Sequence, residues 1–229
     1  MQKLVVLTGS GISAESGIRT FRDAGGLWEQ YPVMEVASLD GWEKNPQRVL
    51  QFYNERRKQA AGAVPNEGHL GLALLEKWFD VRIITQNIDN LHEKAGSSHV
   101  LHLHGEINKA RSSKDPSLIY EIGEKPIQWG DTCEKGSQLR PHIFWFGEAV
   151  PEMENAIRLV TAADIFVIIG TSLNVYPAAG LLHYVREGIP VYLIDPADVT
   201  IPAHYKAVHF KTKASDGVRE LTRVLIPQK

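Results

Sequence analysis

Residues 4–14 read LVVLTGSGISA, and this stretch decides the fold. An apolar run over residues 4–7 leads into a turn of small residues at 9–11. A short, continuous apolar run is typical of a strand buried on both faces of a parallel sheet. Glycines after such a strand allow a tight turn into a helix whose N-terminus can hold a pyrophosphate, although ordinary strand-to-helix turns show the same pattern. The stretch therefore predicts an α/β protein that opens with a candidate nucleotide-binding element.

Apolar runs of strand length and helical periodicities alternate along the rest of the chain. The predicted strands are residues 81–85, 100–104, 143–146, 165–169 and 191–195, and the clearest predicted helices are residues 70–78 and 218–225. This alternation predicts a Rossmann-like parallel sheet with helices on both faces. A dinucleotide-dependent dehydrogenase would add a second strand that ends in an acidic residue about twenty positions after the glycines. Residues 17–23 read GIRTFRD instead, which indicates a loop and disfavours a dehydrogenase.

Length and composition restrict the class of protein. With 229 residues, the chain can bury one sizeable core and a smaller module. A net charge of −2 gives no general attraction to polyanions, so we expect no nucleic-acid partner. The first apolar run is too short for a signal peptide or a membrane span, which predicts a cytoplasmic protein with no membrane partner. The single cysteine, Cys133, excludes an intramolecular disulfide and a thiolate-rich zinc site.

Two segments interrupt the predicted core. Residues 34–59 read as helical, with Pro46 in a first turn, and residues 107–140 lack periodicity. We therefore predict a smaller inserted domain built from a helical insertion and a second module. The predicted core comprises about residues 1–33, 66–106 and 141–229, and the small domain about residues 34–65 and 107–140.

Polar residues follow several of the predicted strands, which is where α/β proteins place ligands. Asn87 and Asp89 suit a carboxamide and a ribose, or an ordinary turn cap. His104 suits a base near neutral pH, or a buried structural histidine. A metal site formed with His102 lacks a third ligand. The turn at 170–172, GTS, is a candidate second phosphate or ribose turn.

Tyr53 and Arg56 are three positions apart in a predicted helix, so they share one face. They can converge on one carboxylate, with the arginine supplying charge and the tyrosine a hydroxyl donor. The alternative is a solvated basic face, because residues 56–58 form a charge run.

Taken in order, the motifs resemble those of the sirtuin family over nearly the whole chain. They are Gly9-Ser10-Gly11-Ile12-Ser13, Gly17-Ile18, Phe21-Arg22, Gly26-Leu27-Trp28, Gln86-Asn87-Ile88-Asp89, His104-Gly105, Leu139-Arg140-Pro141, Phe146-Gly147-Glu148, Gly170-Thr171-Ser172 and Pro177-Ala178.

The resemblance implies an NAD-dependent protein-lysine deacylase that consumes NAD and gives nicotinamide and O-acyl-ADP-ribose. The implied catalytic residues are His104 as base, Asn87 and Asp89. The implied NAD-binding residues are Gly9, Ser10, Gly11, Ser13, Phe21, Arg22, Gln86, Asn87, Asp89, Gly170, Thr171, Ser172, Asp195 and Ala214. The implied substrate-binding residues are Ala37, Tyr53, Arg56, Phe146, Gly147 and Glu148. Acylated lysines of proteins are the implied partners, and we expect a monomer.

Within the resemblance, Tyr53 and Arg56 match the branch that removes succinyl, malonyl and glutaryl groups, and Ala37 stands where a small residue leaves room for a longer acyl chain. Most sirtuins carry four zinc-binding cysteines in the module before the Leu-Arg-Pro segment. Here residues 110–114 read ARSSK and only Cys133 remains, so we expect no structural zinc. The alternatives are a general deacetylase, ADP-ribosyl transfer or NAD hydrolysis, and a non-catalytic NAD sensor.

Overall fold

The computed structural model describes residues 1–19 and 31–226. These residues form a parallel sheet of six strands in the order β3-β2-β1-β7-β8-β9 and a separate antiparallel sheet of three strands in the order β5-β4-β6. The strands are β1 (Lys3–Thr8), β2 (Asp80–Thr85), β3 (Val100–His102), β4 (Gly105–Ser112), β5 (Ile119–Glu121), β6 (Leu139–Ile143), β7 (Ile165–Ile169), β8 (Val191–Ile194) and β9 (Val208–Phe210). The α/β prediction is confirmed.

Helices cover both faces of the parallel sheet. Alternate residues of its central strands point to opposite sides, so each strand contributes side chains to both clusters. Leu4 and Val6 of β1 pack in one cluster with two helices, Glu67–Leu75 and Ala214–Leu225. Val5 and Leu7 pack on the other face with the Met153–Thr161 helix and the 3₁₀ segment Ala178–Tyr184. This two-sided burial explains why the strands read as continuous apolar runs rather than alternating ones.

The helical insertion contains the helices Val33–Val36, Leu39–Lys44 and Pro46–Gly62. Pro46 occupies the first turn of the last of these, as predicted, and the Asn45 side chain accepts a hydrogen bond from the Arg48 amide to cap it. This long helix packs on the antiparallel sheet through Phe52 and Tyr53, which join a cluster containing Ile107 and Ile143.

Three details of the predicted strands were wrong. Residues 143–146 do not return to the parallel sheet, because Ile143 ends β6 in the antiparallel sheet and is buried in the cluster that contains Phe52 and Tyr53. The predicted strand over residues 100–104 ends at His102. Residues 107–140, which lack periodicity, nevertheless form most of β4, all of β5 and the start of β6. The residue division between core and small domain stays a prediction. No helix in the described ranges is long and apolar enough to cross a bilayer.

Candidate active site

Two glycine turns meet at the carboxyl edge of the parallel sheet. After β1 the chain continues to β2 and β3 on one side, whereas after β7 it continues to β8 and β9 on the other. Ligands of open α/β sheets bind at such a switch point. The Gly11 amide donates to the Gly170 carbonyl at 2.9 Å, and Gly170 has a φ of +61°. A Cβ on Gly9 would lie 2.7 Å from the Gly170 oxygen, so the glycines let the two turns pack against each other.

The predicted catalytic amide and carboxylate follow β2 and form one hydrogen-bonded chain. Asn87 Nδ2 donates to the Gly9 carbonyl and to Ser13 Oγ, both at 3.1 Å. Ser13 Oγ in turn donates to Asp89 Oδ2 at 3.1 Å. All three side chains are buried, and burial raises the pKa of the Asp89 carboxyl group. Because both amide donors of Asn87 are engaged, its Oδ1 remains as the acceptor for a ligand.

His104 lies beside these hydrogen-bonded residues, two positions after the end of β3. Its Nδ1 is 3.0 Å from the Gln86 carbonyl, and a carbonyl can only accept, so Nδ1 carries the proton and Nε2 carries the free lone pair. Burial lowers the pKa of His104 below its usual value, although the Gln86 carbonyl opposes this effect. Gln86 Nε2 donates to Thr171 Oγ1 at 3.1 Å, so it links the ends of β2 and β7. Because the pKa of His104 lies below its usual value, the imidazole is neutral at pH 7 and can accept a proton at Nε2.

His102 belongs to a different environment from His104. Its Nε2 is 2.8 Å from Glu93 Oε1 and its Nδ1 is 3.0 Å from the Asn87 carbonyl. Burial disfavours the charged ring, but the Glu93 hydrogen bond and charge outweigh burial and raise its pKa. His102 thus pairs with a carboxylate behind the Asn87 backbone.

Sequence reasoning missed a buried polar layer beneath the site. The Asn87 backbone N–H donates to Thr85 Oγ1 at 3.0 Å, and Thr85 Oγ1 accepts from Thr8 Oγ1 at 2.9 Å. His92 Nε2 lies 3.1 Å from Thr8 Oγ1, and the rings of His92 and His69 are 4.9 Å apart. Burial lowers the pKa of His69 to about 4 and that of His92 well below its usual value. Both rings are therefore neutral at pH 7 and support the loop that carries Asn87.

The Pro46–Gly62 helix directs three consecutive cationic residues into three environments. Arg57 is 2% exposed and donates to the Ile107 carbonyl at 2.7 Å, which ties the helix to β4. Lys58 is exposed. Arg56 is half-buried, and burial lowers its pKa, which Tyr53 and Asp89 partly offset. Within the described residues Arg56 makes no salt bridge, so its charge is available to a ligand.

Tyr53 lies one turn before Arg56 and is 3% exposed. Its hydroxyl accepts a hydrogen bond from Trp145 Nε1 at 2.9 Å. Burial raises the pKa of Tyr53 to about 12, so the phenol keeps its proton. Ala37 is buried in the same cluster as Tyr53, and its carbonyl accepts from the Phe146 amide at 2.9 Å. Ala37, Tyr53 and Phe146 are thereby brought together beside the helix that carries Arg56.

The Glu148 carboxylate is bonded to groups of the chain itself. Its carboxylate reaches Arg140 Nη2 and Arg111 Nη2, each at 2.8 Å, and accepts the Trp145 amide at 2.9 Å. Burial raises the pKa of Glu148, but the hydrogen bonds from Arg140 and the Trp145 amide and the charges of Arg140 and Arg111 together outweigh burial and lower it. Gly147, with a φ of +91°, forms the turn between this ion cluster and Phe146.

A family model described as the Sir2 family matches residues 9–177. The chain belongs to the Sir2 family. The sirtuin resemblance is thus confirmed.

Relatives and solved structures agree with this assignment. A protein of Bacteroides thetaiotaomicron named NAD-dependent protein deacylase is 60% identical over 233 residues, which cover 99% of each chain. A Sir2 homologue solved as an NAD complex has a TM-score of 0.87 and 38% identity, covering 97% of this chain and 89% of that one. A mutant Sir2 homologue solved with 2′-O-acetyl ADP ribose has a TM-score of 0.88 and 37% identity, covering 97% and 91%.

The remaining predicted contacts of this Sir2 chain lie around the same edge or outside the described residues. Asp195 follows β8, and Gly170 donates its amide to the neighbouring Ile194 carbonyl. Ala214 begins the last helix, whose Ser215 amide donates to Glu15 of the segment after β1. Ser10 begins that segment, and Ser172 follows the Gly170 turn. Phe21 and Arg22 lie outside the described residues.

Within residues 1–19 and 31–226, no group of three or more His, Cys, Asp or Glu side chains is placed to hold a metal ion. In the module where most sirtuins carry zinc cysteines, side-chain hydrogen bonds connect residues 112–120 to residues 133–135. They join Lys135 to Asp115, Tyr120 to Glu134, and Cys133 to Ser112.

Proposed function

We propose that this chain is an NAD-dependent protein-lysine deacylase that prefers acidic acyl groups, succinyl and malonyl above acetyl. Membership in the Sir2 family and the name of the Bacteroides relative support the deacylase activity. The acyl preference rests on one observation, the half-buried Arg56 guanidinium one helical turn from the Tyr53 hydroxyl, without an ion pair in the described part of the chain.

The switch-point edge fits NAD. The tight turns of Gly9, Gly11 and Gly170 bring the ends of β1 and β7 together at this edge. Oδ1 of Asn87 accepts no hydrogen bond within residues 1–19 and 31–226, so it is an acceptor for a carboxamide or a hydroxyl. Bound NAD supplies a ribose carbon activated by nicotinamide as its leaving group. The residues that would hold it are those after β1, β2 and β7, and Asp195 after β8.

His104 acts as the general base in this proposal. The Gln86 carbonyl fixes Nδ1–H, so Nε2 is the atom that takes a proton from a ribose hydroxyl. Burial keeps the imidazole neutral at working pH. Asp89 receives the Ser13 hydroxyl and the Leu91 amide, which holds it as the anchor that orients Asn87 through Ser13.

Arg56 and Tyr53 form the proposed acyl subsite. Burial disfavours the Arg56 charge, and an acyl carboxylate would compensate for this loss of hydration. A hydrogen bond to a charged group contributes about 1.5–3 kcal/mol, roughly a tenfold to hundredfold preference over acetyl. Ala37, small and buried in the same cluster, leaves room for the longer chain.

The test uses one peptide carrying acetyl-lysine or succinyl-lysine, incubated with and without NAD and followed by mass spectrometry. We expect NAD-dependent removal of succinyl in clear preference to acetyl. Arg56→Met should reverse the preference by lowering succinyl turnover at least tenfold while acetyl turnover persists. Lys58→Met is the matched control, because it removes one positive charge from an exposed site on the same helix.

Each alternative gives a different result. An unaltered preference in Arg56→Met would mark a general deacetylase. ADP-ribose products without an acyl group would mark ADP-ribosyl transfer or NAD hydrolysis. Binding of NAD with neither peptide processed, and an inert His104→Ala change, would mark a sensor.

A further inference from the structure

The hydrogen bond between Trp145 and Tyr53 fixes the direction in which the Tyr53 hydroxyl can donate. An indole N–H is a donor only, so at 2.9 Å the Tyr53 oxygen must be the acceptor. The phenolic proton then has to point elsewhere. In the part of the chain that the structure describes, no acceptor lies within hydrogen-bond distance of that proton, although the residue is 3% exposed. A buried donor without an acceptor is costly, and a ligand acceptor would remove that cost.

Trp145 is itself held on three sides. Its backbone amide donates to Glu148 at 2.9 Å, and the Arg140 guanidinium lies 3.5 Å from its ring centroid. Its ring centroid is 5.5 Å from that of Trp42, and Trp145 is 3% exposed. The indole is thus fixed by packing, a cation–π contact and a main-chain bond. It can orient Tyr53 without rearranging when a ligand arrives.

We propose that Trp145 is a positioning and specificity-determining residue for acidic acyl groups, because its indole N–H holds the Tyr53 hydroxyl with the proton directed into the acyl-carboxylate subsite. This inference rests on the proposed function, since it assigns an additional residue to the same subsite. An acetyl group has no carboxylate to receive that proton. The effect of Trp145 is therefore confined to acyl chains with a terminal carboxylate.

The test compares kcat/KM for acetyl-lysine and succinyl-lysine forms of one peptide in Trp145→Phe, Tyr53→Phe and the double variant. We expect Trp145→Phe to lower the succinyl-to-acetyl ratio about three- to tenfold, the range of one buried hydrogen bond. Most of the change should be in KM for the succinyl peptide, because the carboxylate contact exists before and during reaction. The double variant should match Tyr53→Phe, because Trp145 acts through the Tyr53 hydroxyl.

Trp42→Phe is the matched control, since it makes the same change in an adjacent ring and leaves the Trp145–Tyr53 bond in place. If Trp145→Phe is poorly folded, benzothienylalanine at position 145 keeps the ring size and removes only the N–H donor. Equal loss of acetyl and succinyl turnover, or an additive double variant, would overturn the inference. If Tyr53→Phe and Arg56→Met also leave the ratio unchanged, the acidic-acyl preference fails as well. If Tyr53→Phe and Arg56→Met lose the succinyl preference but Trp145→Phe keeps it, only the role of Trp145 is refuted.

Discussion

Replacing Glu148 with glutamine should destabilise the chain by about 3 kcal/mol, because it leaves two buried guanidinium groups without a counter-charge. The Glu148 carboxylate is 15% exposed and is shared by Arg140 and Arg111, whose side chains are 5% and 7% exposed. Removing one partner from a buried ion pair costs about 3–5 kcal/mol. The lower end applies here, since the glutamine oxygen still accepts one hydrogen bond.

The assay is urea unfolding at pH 7, with thermal unfolding as a second measure. For a chain of this length, 3 kcal/mol corresponds to a Tm decrease of roughly 6–12 °C. Glu154→Gln is the control, because Glu154 and its partner Arg158 are 77% and 70% exposed and such pairs contribute about 0.5 kcal/mol or less. A loss below about 1 kcal/mol for Glu148→Gln would show that the arginines are hydrated in solution, and the reasoning would be refuted.

Three further predictions concern pH and metal. The acidic limb of the kcat/KM profile should lie below pH 6.5, because burial lowers the pKa of His104, and an inflection at or above 6.5 would contradict this assignment. The unfolding free energy should decrease by roughly 3 kcal/mol between pH 6.5 and about 4, because the unfolded chain protonates His69 at 6.5 and the folded chain only near 4. In urea titrations across this range, the unfolding free energy of His69→Gln should depend less steeply on pH than that of the unaltered chain. Incubation with a zinc chelator should leave Tm and activity unchanged, and a decrease in either would indicate a metal.

The central strands could be predicted from sequence because both of their faces are buried. Residues 165–169 match β7 residue for residue, since every side chain in that strand is buried. The antiparallel sheet could not be predicted in the same way. Arg111 and Arg140 are buried at positions where hydropathy predicts exposure, and this burial is compensated by the Glu148 carboxylate, which both guanidinium groups share, and by the Ile143 carbonyl. A pattern of apolar and polar letters does not encode such long-range charge compensation.

In the candidate site, too, some residues could be predicted from the sequence and others could not. Gln86, Asn87, Asp89 and the Gly170 turn follow strand ends, so the position of each strand located them. The partners that orient them could not all be found in this way, because Ser13 reaches Asn87, and Thr8 reaches Thr85, only through the parallel pairing of β1 and β2. Neither Trp145 nor its bond to Tyr53 has a local sequence signal, since 92 positions separate the two residues.

The three basic residues at 56–58 have different roles because a helix points consecutive side chains in different directions. Arg57 anchors β4 through the Ile107 carbonyl, and it donates to Asn54, whose side chain also bonds the Ile127 backbone. These bonds fix the helix to β4 and to the segment that contains Ile127. Arg56 lies on the same helix, three residues after Tyr53, so the anchor next to it sets the position of its backbone. The backbone that carries Tyr53 and Arg56 in the proposed acyl subsite is therefore held by contacts within the chain, which reduces the entropy cost of selecting an acidic acyl chain.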